Sequence, residues 1–73
     1  MPKKFRTVKP KEVITILCAN GFSLRRVKGS HHIFTNDAKT KMVTIPVHSG
    51  KDLLPNTLRS IIRQSGLSED LFR

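Results

Sequence analysis

Cysteine, acidic side chains and long apolar runs are all scarce in this chain of 73 residues. Cys18 is the only cysteine, so an intrachain disulfide is excluded, and we expect the thiol to pack in the core of a protein from a reducing compartment. No stretch approaches the ~18 apolar residues of a membrane span, and the N-terminus lacks the apolar run of a signal peptide. We therefore expect a cytoplasmic protein with no membrane or lipid partner.

Metal-binding patterns are also missing. The sequence has three histidines, but it has no His-x-x-x-His spacing, no cysteine pair and no carboxylate close in sequence to His31. The sequence predicts neither a metal site nor a cofactor.

What the chain does have is positive charge. Fourteen Lys and Arg face five Asp and Glu, which gives a net charge of +9. Residues 1–30 account for +7 of this, and residues 31–73 for +2. Such a positive field indicates a negatively charged partner, either nucleic acid or an acidic protein. The alternative is that the charge only forms an ordinary lysine-rich surface.

The periodicity predicts a basic arm at residues 1–8 and one domain at residues 9–73. A first helix should begin at Lys9-Pro10 and end at Asn20-Gly21. A second helix should begin at Pro55 and end at Gly66, before a short last turn capped by Ser68. Between them the alternation of apolar residues predicts strands at 22–28, 31–35 and 42–47.

This order predicts an α+β fold of two layers, in which both helices cover one face of an antiparallel three-stranded sheet. Helix, three strands and helix is also the element order of double-stranded-RNA-binding domains. Element order alone does not define a function.

The segment from Lys28 to His32 combines residues suited to phosphate chemistry. Lys28 supplies charge, Gly29 lets a phosphate approach closely, and Ser30 offers a hydroxyl donor. His31 can exchange a proton near neutral pH, because free imidazole has a pKa of about 6.5. RNA carries its own nucleophile, the 2′-hydroxyl, so a base or an acid beside positive charge suffices for cleavage.

The alternative for a histidine in a strand is a structural role. Neighbouring side chains of a strand point to opposite faces, so His31 and His32 should not act as a pair, although the sequence does not tell which face is the core. His48 follows the third strand and is either a second proton carrier or phosphate donor, or an ordinary loop residue. Arg25-Arg26 is either an RNA contact or plain surface.

Four segments in order resemble the HicA family of bacterial messenger-RNA interferase toxins, over residues ~8 to 72. They are Lys9-Pro10-Lys11-Glu12-Val13-Ile14, Asn20-Gly21-Phe22, Lys28-Gly29-Ser30-His31-His32-Ile33-Phe34, and Ile45-Pro46-Val47-His48-Ser49-Gly50-Lys51-Asp52-Leu53 leading to Thr57-Leu58-Arg59-Ser60-Ile61. Asn56 stands where a glycine is frequent in the family, a departure that asparagine tolerates.

The resemblance implies a double-stranded-RNA-binding-like fold, metal-independent cleavage of messenger RNA with His31 as the catalytic histidine, and a HicB-type antitoxin as partner. We therefore expect an endoribonuclease, the toxin of a type II toxin–antitoxin system. The expected RNA-binding residues are Arg26, Lys28, Gly29, Ser30 and His48. The alternatives are a non-catalytic RNA-binding module and a domain that binds only an acidic protein.

Overall fold

The computed structural model describes residues 8–48 and 51–72. Its elements are α1 (Pro10–Ala19), β1 (Phe22–Lys28), β2 (His31–Asn36), β3 (Met42–Pro46), α2 (Pro55–Ser65) and a final 3-10 helix (Glu69–Phe72). The strands form one antiparallel sheet in the order β1-β2-β3. The predicted fold class, a helix, three antiparallel strands and a helix in two layers, is confirmed.

The helices begin and end where their sequences predict. Pro10 and Pro55 occupy the first turns of α1 and α2, where proline's fixed φ suits the helix and its missing N–H costs nothing. Gly21 and Gly66 follow the two helices with φ of +90° and +71°, a backbone region that glycine enters without strain. The backbone N–H of Asp70 donates to Ser68 Oγ at 3.3 Å, so the predicted cap of the last turn is present.

One face of the sheet is covered by both helices. Phe34 on β2 lies opposite Val43 on β3, and both are buried together with α1 and α2 side chains in a single apolar core. The core consists of Val8, Val13, Leu17, Phe22, Phe34, Val43, Ile45, Leu53, Leu58, Ile61, Ile62 and Phe72. The opposite face of the sheet, which we call the open face, carries His31, Ile33 and Thr35 of β2.

The two edge strands are protected unequally. The backbone N–H of Thr44 in β3 donates to Gln64 Oε1 of α2 at 3.2 Å, so α2 supplies a partner along that edge. Leu24 and Val27 of β1 are about half exposed, at 51% and 50%. The helices therefore cover β3 more completely than they cover β1.

The structure differs from two predictions about the N-terminal part of the chain. Val8, which the sequence analysis assigns to the basic arm, is 1% exposed and pairs with Leu53, so the folded part of the chain extends at least to residue 8. Residues 1–7 of that arm lie outside the described residues. The expectation that Cys18 packs in the core is wrong, because it lies on the exposed side of α1.

Candidate active site

The two adjacent histidines of β2 face opposite sides of the sheet. His32 shares its face with buried Phe34, and it pairs with Val27 and Ile45 across the sheet. Its Nδ1 is buried and has no hydrogen-bond partner among residues 8–48 and 51–72. His31, by contrast, is exposed on the open face. Alternation along the strand therefore makes His31 the histidine that a ligand can reach.

A β-bulge in β1 decides which cations share the face of His31. The register slips between Leu24, which pairs with Phe34, and Arg26, which pairs with Ile33, so that Arg25 is the extra residue. In a regular strand Leu24 and Arg26 would lie on the same face; the bulge places Arg26 on the opposite one.

The same register continues to the end of the strand. Lys28 pairs with His31, and directly opposed residues of an antiparallel pair point to the same face. Arg26, Lys28 and His31 thus lie together on the open face, while Leu24 and Val27 point to the helix side. The bulge thus places two of the predicted RNA-binding residues, Arg26 and Lys28, on the same face as His31.

The turn before His31 consists of Gly29 and Ser30. Gly29 has a φ of +60°, so glycine is needed for the backbone conformation of this two-residue hairpin. No atom of the described residues beyond its chain neighbours lies within 4 Å of the position that a Cβ would take there, so the space above the turn is open. The carbonyl oxygen of half-buried Ser30 accepts a hydrogen bond of 2.7 Å from Val47 N–H. This bond holds the turn against the chain that follows β3.

The chain after β3 brings His48 to the same end of the sheet. β3 ends at Pro46, one residue before the predicted end, and Val47 continues the ladder through its bond to Ser30. His48 is exposed, and together with Pro46 it lines a cavity of about 180 Å³. Because Pro46 pairs with His31, the cavity borders the face on which His31 lies.

The far wall of this cavity is the segment that leads into α2. It consists of Lys51, Asp52, Leu53 and Leu54, and Thr57 in the first turn of α2 also lines the cavity. Leu53 N–H donates to the carbonyl oxygen of Val8 at 2.7 Å, and Lys51 N–H donates to that of His48 at 3.0 Å. Asp52 Oδ1 accepts a hydrogen bond of 2.9 Å from Lys9 Nζ. These contacts fix the cavity wall to the start of α1 and to the end of β3.

The structure therefore places the predicted residues in two groups. Arg26, Lys28 and His31 share the open face next to the Gly29-Ser30 turn, and His48 lies at the neighbouring cavity. The cavity residues Lys51, Asp52 and Thr57 were not singled out as site residues. All three fall in segments that carry the family resemblance, but nothing in their spacing indicates a shared cavity.

The described parts of the chain contain neither a cluster of metal-ligand side chains nor a membrane-spanning helix. Within residues 8–48 and 51–72, no three side chains of the His, Cys, Asp or Glu type are grouped so that they could hold a metal ion. No helix in that part of the chain is long and apolar enough to cross a membrane.

Fold and site together define a small basic α+β domain with an exposed histidine among cations on one sheet face. The family model of the HicA toxin of bacterial toxin–antitoxin systems matches residues 10–67, which is well over half of the chain. The chain belongs to the HicA toxin family. No curated protein matches it significantly. Family membership makes this protein the toxin of a toxin–antitoxin system, with an antitoxin as its partner.

Proposed function

We propose that this toxin is a metal-independent endoribonuclease that cleaves messenger RNA, with His31 as general acid or base. The observation that carries the proposal is the position of His31 on the open face beside Arg26 and Lys28. The fold leaves the histidine exposed, and the bulge turns two permanent positive charges toward the same face. Together, Arg26 and Lys28 can bind a phosphate, and His31 can exchange a proton beside it.

The chemistry needs no nucleophile from the protein. The 2′-oxygen of a ribose attacks the adjacent phosphorus, a new O2′–P bond forms, and the P–O5′ bond breaks. His31 either accepts the proton of the 2′-hydroxyl, while water protonates the departing 5′-oxygen, or donates a proton to the 5′-oxygen, while water takes the proton of the 2′-hydroxyl. Lys28 and Arg26 stabilise the negative charge that grows on the phosphate oxygens in the transition state. The products are a 2′,3′-cyclic phosphate and a 5′-hydroxyl.

The end groups of the cleaved RNA test this reaction directly. We expect purified toxin to leave cyclic phosphate ends on labelled RNA, with and without EDTA, and to spare a site whose ribose is replaced by deoxyribose. Loss of cleavage in EDTA, or cleavage at the deoxyribose, would contradict the proposal. RNA that is shifted in a gel but stays intact would instead identify a non-catalytic RNA-binding module.

We further propose that the antitoxin is of the HicB type and covers His31. An uninhibited cutter of messenger RNA would harm its own cell, so the inhibitor must block the histidine or the cationic path to it. Both lie on one exposed face, since Arg26 and Lys28 flank His31. A partner with an acidic surface would be steered to this face by its charge.

Mixing experiments test the antitoxin proposal. The complex should abolish RNA cleavage and raise the melting temperature, because a ligand at 100 times its Kd stabilises the folded state by about 2.7 kcal/mol. A complex in which the toxin still cuts RNA at the uninhibited rate would show that the antitoxin binds elsewhere.

A further inference from the structure

The cavity beside the open face contains a pair of side chains that the proposed cleavage does not use. Lys51 and Asp52 line it from consecutive positions, with His48 and Pro46 on the wall nearer His31. Asp52 is unusual here, since the whole chain has only five acidic residues and a carboxylate repels a phosphate. The ion pair with Lys9 engages one of its oxygens, Oδ1, and a ligand with further donor groups can use the carboxylate as well.

The size and walls of the cavity fit one nucleobase. Its volume of about 180 Å³ is smaller than the roughly 300–1,000 Å³ of pockets that enclose a whole drug-sized ligand, so it would take one ring system. Leu53, Leu54 and Pro46 supply apolar surface for the ring. His48 supplies an imidazole plane of the kind on which unstacked RNA bases rest in single-strand recognition.

We propose that this cavity is a guanine subsite for the nucleotide next to the cleaved phosphate, an inference that rests on the proposed function. Guanine presents two adjacent donors, N1–H and N2–H₂, and two acceptors, O6 and N7. The carboxylate of Asp52 can accept from both donors, and the ammonium of Lys51 can donate to the acceptors, which is a common specific contact of lysine with this base.

The same pair of charges disfavours the other bases. Adenine and cytosine each place a ring-nitrogen acceptor beside the amino group, so its lone pair would face the carboxylate. Uracil offers one N–H between two carbonyl oxygens. Guanine alone places two donors side by side, so the carboxylate gives the cavity its selectivity.

The surroundings of Asp52 hold the carboxylate in position for this task. Its Oδ1 accepts from Lys9 Nζ, and the next residue, Leu53, is buried and bonded to Val8. Among residues 8–48 and 51–72, no hydrogen bond engages Oδ2, which leaves that oxygen available to a base. The Lys9 charge also offsets the repulsion between Asp52 and the phosphates of a bound strand.

The test is the binding of short uridine oligonucleotides that carry one guanine, inosine or adenine, measured with the full chain bearing His31→Ala so that no RNA is cut. We expect guanine to bind about tenfold more tightly than adenine, with inosine between them because it lacks the N2 amino group. Asp52→Asn should reduce the guanine preference to about twofold or less. Equal binding of the three strands, or an Asp52→Asn chain with the full preference, would overturn the subsite.

Two control variants separate recognition from charge and from folding. Lys9→Gln removes the positive charge but keeps a side-chain donor for Asp52 Oδ1, so the ratio of guanine to adenine binding should stay while the overall affinity falls. Asp37→Asn removes a carboxylate from the exposed turn between β2 and β3, and it should leave the ratio unchanged. If Asp37→Asn lowers the ratio as much as Asp52→Asn does, the subsite is overturned.

Cleavage by the wild-type chain, measured in parallel, keeps the two proposals distinguishable. RNA cleavage that depends on His31 but shows no guanine preference overturns the subsite alone. Guanine-selective binding by a chain that cuts no RNA supports the subsite and overturns the proposed nuclease activity.

Discussion

The two faces of the sheet show how one short strand can serve folding and chemistry at once. On the helix-covered face Phe34 is 2% exposed and belongs to the apolar core, and half-buried His32 shares its side of the strand. On the open face His31 stands exposed, opposite Lys28. Residues one position apart therefore differ completely in their expected sensitivity to substitution. The covered face should control stability, and the open face should control activity.

The largest effect on stability should come from a substitution on the helix-covered face. Phe34→Ala removes a ring from the core, and such substitutions cost about 3–5 kcal/mol. That equals roughly the whole stability of a domain of this size, so we expect the variant to be largely unfolded at 25 °C in circular dichroism. Ile33→Ala, on the open face, is the control and should keep a cooperative melt. A Phe34→Ala melt within a few degrees of wild type would contradict the division between the faces.

At Gly29, in the turn between β1 and β2, substitutions should change stability through the backbone conformation alone. Gly29→Ala places a side chain in open space but at a φ of +60°, so we expect a loss of about 1–2 kcal/mol in urea unfolding. Gly29→Asn should cost a similar amount, because only the first residue of this two-residue turn has a positive φ, the type II′ arrangement that selects glycine at that position. If both variants unfold at the same urea concentration as wild type, the positive φ is not the reason for the glycine.

On the open face, the cations should affect RNA affinity rather than stability. Arg26→Gln and Lys28→Gln should each reduce the salt dependence of RNA binding, lowering the log–log slope by about 0.7 for a single strand. Lys11→Gln, which removes a charge from the exposed side of α1, is the matched control. A slope that changes as much for Lys11→Gln would show that binding depends on overall charge and not on this face.

The smallest effect should come from His32. Its Nδ1 is buried without a described partner, so replacing the ring with an apolar side chain removes an unsatisfied group together with some packing. We expect His32→Leu to change the free energy of unfolding by no more than about 1 kcal/mol and to leave RNA cleavage intact. A large loss of cleavage in a well-folded His32→Leu chain would give His32 a role that its position does not support.

The elements of the fold were predictable because their signals are local. Proline at the first turns, glycine after the helices and alternation in the strands depend on neighbouring residues. The bulge at Arg25 was not predictable, since nothing in the residues around it marks an extra position, yet it decides which cations face His31.

Long-range contacts could not be predicted from the sequence, because no local signal marks them. The ion pair between Lys9 and Asp52 joins residues 43 positions apart, and the pairing of Val8 with Leu53 appears only once the chain has folded. The core face of β2 also stayed undecided, because Ile33 and Phe34 give each face of the strand an apolar residue. Its assignment required the buried partners Val43 and Ile45 on β3.

The central claim is that one of two adjacent histidines carries the chemistry, and cleavage rates of two variants test it most directly. His31→Ala and His32→Ala should be compared on the same labelled RNA, after circular dichroism has shown that both chains are folded. We predict that His31→Ala cuts RNA about 100- to 10,000-fold more slowly than wild type, the usual contribution of a general acid or base, while His32→Ala stays near the wild-type rate. Undiminished cleavage by a folded His31→Ala chain would contradict the account.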